Sequence, residues 1–327
     1  MDMPLMQSHR RSVVVTALVI LVVAAGILFF VDRPREAPVT VQIGYLNITA
    51  SLPLFIAEEK GFFTAEGLQH KSTPIATSNQ LVDGIVAGNL DAFPESSAVP
   101  VLAVEHQSPG RLKVFSVSSI TKKTPFDAIL VKENSPIAQL SDLAGKKIGV
   151  FPGSTSVSLL KKYLTDSKVD VSGITFIPMP PQNQLTALLE GAVEAVHAYE
   201  PTTAIALSKG GVRKLFGSVY AEMLDPNPQG VAVVSAKLLQ EHPETAKKVI
   251  RAMERGMIFM RENEGEARQI MAKRLTLDES VARASVFLYM LPHKEIDRGV
   301  FQKYADMLSG LRELKGQVNV DGLIYRE

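Results

Sequence analysis

A two-lobed α/β body behind one membrane-spanning helix is the fold class this sequence predicts, and three observations predict it. Two stretches about a hundred residues apart repeat one design. Ile43-Gly44-Tyr45 is followed by a polar Thr49-Ala50-Ser51 turn, a helix-like run and Gly88-Asn89-Leu90-Asp91-Ala92. Ile148-Gly149-Val150 is followed by Gly153-Ser154-Thr155-Ser156, a helix-like run and Gly191-Ala192-Val193-Glu194-Ala195. Around these stretches strand-like and helix-like segments alternate, as in largely parallel sheets. The third observation is an uncharged run from Ser12 to Val31 ahead of the body. Two lobes face to face make a cleft. Ligands in such sheets sit beyond the carboxyl ends of the strands, where the polar turns of the repeat fall.

The Ser12–Val31 run follows His9-Arg10-Arg11. At about 1.5 Å rise per residue it spans about 30 Å, the thickness of a bilayer core. Positive residues ahead of it favour a cytoplasmic N-terminus, with the body outside. An uncleaved anchor is favoured over a cleavable signal peptide, because cleavage after Val23-Ala24-Ala25 would leave Ile27-Leu28-Phe29-Phe30 exposed. Asp32-Arg33-Pro34-Arg35-Glu36-Ala37-Pro38 reads as a linker.

In the body, Val39 to Tyr45 reads as a buried strand, and Pro53 opens a helix that Gly61 ends. Phe62 and Phe63 are expected to pack beneath that helix end. Gln80 to Ala87 is a short helix, Leu90 to Phe93 a strand, Pro94-Glu95-Ser96-Ser97 a polar turn and Pro100 to Glu105 a helix. Val114–Val117 and Ala128–Val131 are strands, and Ser141 to Lys147 is a surface turn leading into Ile148-Gly149-Val150. Then come a helix over Ser156–Leu164, a strand over Ile174–Pro178, a helix over Gln184–Glu190 and a strand over Val193–Ala198. Pro226-Asn227-Pro228-Gln229-Gly230 reads as a loop before a Val231–Val234 strand. The remainder is helical: Pro243 to about Arg274 with a break near Asn263-Glu264-Gly265, then Asp278–Leu288 and Asp297–Leu311.

Composition removes whole classes of function. Lys plus Arg is 35 and Asp plus Glu 34, a net charge of +1, so no basic excess points to nucleic acid. There is no cysteine, hence no disulfide, thiolate metal site or cysteine nucleophile, and no lipid-bearing N-terminal cysteine. The histidines at 9, 70, 106, 197, 242 and 293 lack ligand spacing, and no phosphate loop, dinucleotide fingerprint or nucleophile elbow occurs. No cofactor and no metal are expected.

The chemistry-bearing residues are the turns. Gly153-Ser154-Thr155-Ser156 joins a strand to a helix. It reads either as an anion seat of free backbone N–H groups and hydroxyls or as an ordinary helix cap. Thr77-Ser78 and Ser96-Ser97 offer similar donors, and Asn47, Thr49 and Ser51 lie in the first strand-to-helix turn. Tyr199-Glu200-Pro201 ends a strand. Glu200 there either holds a ligand ammonium group or is an exposed turn acid, with Tyr199 covering an apolar part or simply packed.

Three segments resemble one family. Pro53-Leu54-Phe55-Ile56-Ala57-Glu58-Glu59-Lys60-Gly61-Phe62-Phe63 with Glu66-Gly67-Leu68 resembles the opening of nitrate/sulfonate/taurine/bicarbonate-type solute-binding proteins, to which thiamine-pyrimidine-precursor binders are related. Asp142-Leu143-Ala144-Gly145-Lys146-Lys147-Ile148-Gly149-Val150 with Gly153-Ser154 resembles their second-lobe entry. Ala198-Tyr199-Glu200-Pro201 is similar to their aromatic-acidic-proline segment, with Tyr199 where tryptophan is common. The resemblance implies a type II periplasmic-binding-protein fold with crossovers near Asp127–Val131 and Gln229–Val233. Lobe 1 would be residues 39–128 plus 230–327, lobe 2 residues 129–229, and residues 1–38 the anchor and linker.

It also implies a ligand site of Asn47, Thr77, Ser78, Ser96, Ser97, Gly153, Ser154, Thr155, Tyr199 and Glu200, to which the first strand-to-helix turn adds Thr49. The expected function is the extracytoplasmic solute-binding component of an ABC importer. It would be a non-enzyme and a monomer that captures a sulfonate- or taurine-like oxyanion and delivers it to the permease and its ATPase. The location would be the periplasm or cell exterior, tethered to the membrane through Ser12–Val31. Two alternatives stay open: an enzyme on the same fold, and a binder of a pyrimidine vitamin precursor.

Overall fold

A computed structural model describes residues 39–327 except Arg312, and all their side chains except those of Ser154 and Tyr289. The expected membrane-spanning helix and linker lie outside the described residues. Among those that are described, no helix is long and apolar enough to cross a membrane.

The chain opens with β1 (Thr40–Leu46), α1 (Leu52–Glu59), α2 (Phe62–Ala65), β2 (Gln69–Ile75), α3 (Ser78–Val86), β3 (Ala92–Ser97), α4 (Ala98–Gln107) and β4 (Leu112–Ile120). It then moves to a second sheet through β5 (Asp127–Lys132), β6 (Lys147–Val150), α5 (Ser154–Asp166), β7 (Thr175–Pro178), α6 (Pro181–Glu190), β8 (Ala195–Tyr199), α7 (Thr202–Lys209), β9 (Val212–Phe216) and α8 (Val219–Met223). It returns with β10 (Asn227–Ser235), followed by α9 (Ala236–Glu241), α10 (Pro243–Glu262), α11 (Glu264–Leu275), α12 (Glu279–Ala284), β11 (Tyr289–Pro292) and α13 (Arg298–Gly310).

The first sheet has the order β2-β1-β3-β10-β4-β11 and the second β7-β6-β8-β5-β9. Both follow one plan. β1 lies parallel to β2 and β3, as β6 does to β7 and β8. Each parallel trio is then extended by an antiparallel strand, β10 against β3 and β5 against β8. The two Ile-Gly segments are thus the central strands of equivalent trios. Ile43 pairs with Ala92 and Ile148 with Ala195, the last residues of the two Gly-x-x-acid-Ala segments.

Alternating apolar residues of these strands set the core. Val41 and Ile43 of β1 and Ile148 and Val150 of β6 are fully buried, each worth about 1.5–3 kcal/mol relative to exposure. The amphipathic α10 lays Val249, Met253 and Met257 into the core beside α1. Phe63 is buried and Phe62 packs at the core's edge, edge-on to Phe259, which is a packing role for both.

Three local readings are corrected. Pro94–Ser97 forms the last four residues of β3, not a turn. Pro94 has no N–H to give. It is accommodated because β10 shifts register opposite it, between Val231 paired with Ser96 and Val233 paired with Phe93. Asn227–Gly230 begins β10 rather than a loop, since Gly230 pairs with Ser97 on one side and Ser118 on the other. The helix expected over 278–288 stops at Ala284, and β11 then adds an edge strand to β4.

Candidate ligand-binding cleft

A cavity of about 80 Å³ lies between the two sheets. The first sheet and its turns line it with Leu46, Ile48, Ala50, Ser78, Asn79, Glu95, Ser96, Ser97, Ile120 and Gln229. Phe126, Phe151, Pro152, Gly153, Thr155, Ser156 and Tyr199 face them from the second, and Leu288 also contributes.

Several helix starts meet here. Ser78 and Asn79 are the first residues of α3, Ser97 is the N-cap of α4, and Gly153 is the N-cap of α5, whose first turn holds Thr155 and Ser156. The first N–H groups of a helix lack intrahelical partners and carry partial positive charge. Gly153 adopts φ 128°, ψ 150°, a conformation that favours glycine and brings the chain sharply off β6 into α5. The turns also brace one another: the Ser97 N–H donates to Ser78 Oγ at 2.9 Å, and the Val99 N–H to Ser97 Oγ at 3.4 Å.

The rest of the wall is apolar and aromatic. Tyr199 meets Phe151 edge-on at 5.5 Å between ring centroids and stacks on Tyr220 at 6.0 Å. Its hydroxyl lies 2.6 Å from that of Tyr220. Burial pushes the Tyr199 phenol up to about 12, so it stays a neutral donor or acceptor. Behind it, buried Asp127 holds His197 Nε2 at 2.8 Å, accepts from the Val219 N–H at 2.8 Å and bonds the Ser218 hydroxyl, fixing the strand ends where the chain enters the second sheet.

Of the residues expected at the site, the wall unites Ser78, Ser96, Ser97, Gly153, Thr155 and Tyr199. The Ser154 side chain lies outside the described residues. Asn47 is exposed and off the wall. Thr77 is occupied as the N-cap of α3, accepting from the Gln80 N–H at 3.2 Å. Thr49 is buried, and its hydroxyl donates to the Glu200 carbonyl at 3.3 Å, a bond between the two halves of the molecule. Glu200 is neither an exposed turn acid nor part of the wall. It is buried and folded back onto α7, where its carboxylate accepts from the Ala204 N–H at 3.3 Å. A helix start favours an acid there. Burial still pushes Glu200 up to about 7, against the pull of that bond and of Lys214 and Arg268.

The acid that does face the cavity is Glu95, only 6% exposed. Burial pushes it up to about 8, opposed by the Ser118 hydroxyl, which donates to Oε1 at 2.7 Å. The side chain reaches Ser118 by crossing Gly230, where a Cβ would stand 1.6 Å from Oε1. Reading residues 94–97 as a solvated turn hid Glu95. The signal for it was Gly230, a glycine followed by the β-branched residues of a central strand.

The sequence and the fold have counterparts among known proteins. A model described as NMT1/THI5 like matches residues 48–267. A Bacillus subtilis (strain 168) protein named for binding aliphatic sulfonates is 28% identical over 242 residues, covering 72% of this chain and 70% of that protein. The alkanesulfonate-binding protein SsuA of Xanthomonas axonopodis pv. citri, solved with bound MOPS, superposes with a TM-score of 0.73 at 20% identity, covering 90% of this chain and 100% of that one. The desulfurization enzyme DSZB also shares the fold, with a TM-score of 0.65 at 16% identity, covering 88% and 97%. With the family model matched over more than half its length, the chain belongs to the NMT1/THI5 like family.

Proposed function

We propose that this protein is the extracytoplasmic solute-binding component of an ABC importer. It captures a small sulfonate-type oxyanion in the cleft and hands it to a permease and its ATPase. The observation that carries this reading is the convergence of the starts of α3, α4 and α5 on one cavity with no lysine or arginine among its described wall residues. Neutral N–H and O–H donors suit a monoanion bound without a formal countercharge. The apolar wall of Leu46, Ile48, Ile120, Phe126 and Phe151 suits a short alkyl group attached to it. The names of the Bacillus and Xanthomonas relatives support the same solute class.

Contacts from both sides of the cavity give the solute differential affinity for a closed form, which is what drives hinge closure. In this reading residues 39–128 plus 230–327 move against residues 129–229 about the β4–β5 and β9–β10 connections. The Ser12–Val31 run tethers the protein outside the cytoplasmic membrane, and it works as a monomer. A binding role is favoured over an enzymatic one, despite the shared fold of DSZB. The chain has no cysteine, and no histidine or lysine lies among the described wall residues.

A thermal-shift series with methanesulfonate, ethanesulfonate, taurine, nitrate, bicarbonate and a pyrimidine tests the proposal. A true ligand at 100 times its dissociation constant stabilises by about 2.7 kcal/mol. Alkanesulfonates are expected to lead, and a flat response to the whole series would sink the reading.

A further inference from the structure

We propose that Glu95 is the specificity-determining residue of the cleft: an uncharged carboxylic acid that donates its proton in a hydrogen bond to an oxygen of the anionic solute. The inference rests on the anion-binding reading above and assigns a role that the helix starts alone do not supply.

The geometry is built for a carboxyl at this point. β3 carries Glu95 beside Ser96 and Ser97 on the cavity wall, and the register shift of β10 falls directly opposite. Such irregularities re-aim side chains. Gly230 leaves the space that the carboxyl crosses. Oε1 is taken by the Ser118 hydroxyl, Oε2 has no hydrogen-bond partner among the described residues, and Glu95 lines the cavity.

Charge decides what Oε2 can do. An ionised carboxylate on a residue only 6% exposed, with one hydroxyl donor and no cation bonded to it among the described residues, is costly. It would also repel an oxyanion held by the helix starts. Protonated, the same group adds a donor and satisfies its own free oxygen. Among the elements around β3, the wall adds Tyr199, β1 carries Tyr45, α3 carries Asp83 and β10 carries no titratable group; β4, which supplies Ser118, carries Lys113, whose ammonium group donates to the Gly322 carbonyl. None of these contributes to the upward shift of Glu95, which comes from burial. A bound anion raises the group further, so the acid remains protonated in the complex. The competing role is a counter-ion for a solute ammonium group, which requires the ionised form.

Isothermal titration of the full-length protein, its Glu95→Gln variant and its Glu95→Ala variant with methanesulfonate and with taurine, between pH 6 and pH 9.5, separates the cases. Glu95→Gln keeps a neutral donor at the same reach. It is expected to hold methanesulfonate within about threefold of the parent and with no pH dependence, whereas Glu95→Ala loses about tenfold or more. The parent protein is expected to lose affinity only above about pH 8, by up to tenfold per pH unit. Two outcomes overturn the proposal while leaving anion binding intact: Glu95→Gln as weak as Glu95→Ala, or parent affinity that rises with pH. Parent protein that binds neither probe at any pH overturns the anion reading itself. Ligand-free unfolding of each variant separates loss of the donor from loss of the fold.

Discussion

The carboxylate of Asp91 accepts the backbone N–H of Gln42 at 2.8 Å, and the Asp91 N–H donates back to the Gln42 carbonyl at 2.7 Å. In the second sheet Glu194 does the same to Lys147, at 2.8 Å and 3.0 Å. The acid of each Gly-x-x-acid-Ala segment thus pins the start of the central strand to the strand that follows it. Asp91→Ala removes an acceptor from a partly buried N–H and is expected to cost about 1–3 kcal/mol. Glu194→Ala, on an exposed pair, is expected to cost less. Urea unfolding of the two variants checks the order.

That pairing is also why the architecture was legible. A repeat in sequence marked equivalent places in two sheets, so the central strands and the turns after them could be found without coordinates. What failed was polar strand. β2 reads Gln69-His70-Lys71-Ser72-Thr73-Pro74-Ile75 and has no apolar alternation, because it is an edge strand whose pairing to β1 supplies the order. Residues 94–97 and 227–230 read as loops because their polar side chains have jobs inside the fold: Glu95, Ser96, Ser97 and Gln229 line the cleft, and buried Asn227 donates to the Tyr220 carbonyl at 2.8 Å. Six of the expected site residues are on the wall. Glu200 lies off the wall, because a strand-end acid in front of a helix is as well suited to that helix start as to a ligand.

A side chain at Gly230 should displace Glu95. A Cβ there would stand 1.6 Å from Glu95 Oε1 and 2.2 Å from Ser118 Oγ. Both are side-chain ends that can swing away, so Gly230→Ala is expected to fold with a loss of about 1–3 kcal/mol. Glu95 must leave its place, and solute affinity should drop as it does in Glu95→Ala. Calorimetry of a double variant tests the coupling: with Glu95 already alanine, Gly230→Ala should cost little more affinity.

Tyr199→Phe removes one hydroxyl from a pair 2.6 Å apart and leaves that of fully buried Tyr220 without its partner. The expected loss is about 1–3 kcal/mol of stability. Affinity should change less, because the ring remains against Phe151 and Phe126. Tyr199→Ala opens the wall and is expected to cost about 3–5 kcal/mol together with most of the binding. A Tyr199→Phe protein that unfolds at the parent's urea midpoint would refute the coupling.

Glu200 gives the ligand-free protein a pH dependence with a definite sign. Its folded-state pKa, about 7, lies above its ordinary value of 4.5. Between these the folded state holds a proton that the unfolded chain has released. The stabilisation is therefore fully present below about pH 4.5, declines as pH rises and is gone above about pH 7, with a slope of at most about 1.4 kcal/mol per pH unit. Glu95 acts in the same direction and extends the decline to about pH 8. The parent's urea midpoint is expected to fall from pH 5 to pH 8. Glu200→Gln cannot ionise and its amide oxygen can still accept from Ala204, so its profile should be flatter below pH 7 and lie above the parent's at pH 8. A parent midpoint that climbs over this range would mean that Glu200 is ionised in the folded protein, with Lys214 and Arg268 outweighing its burial.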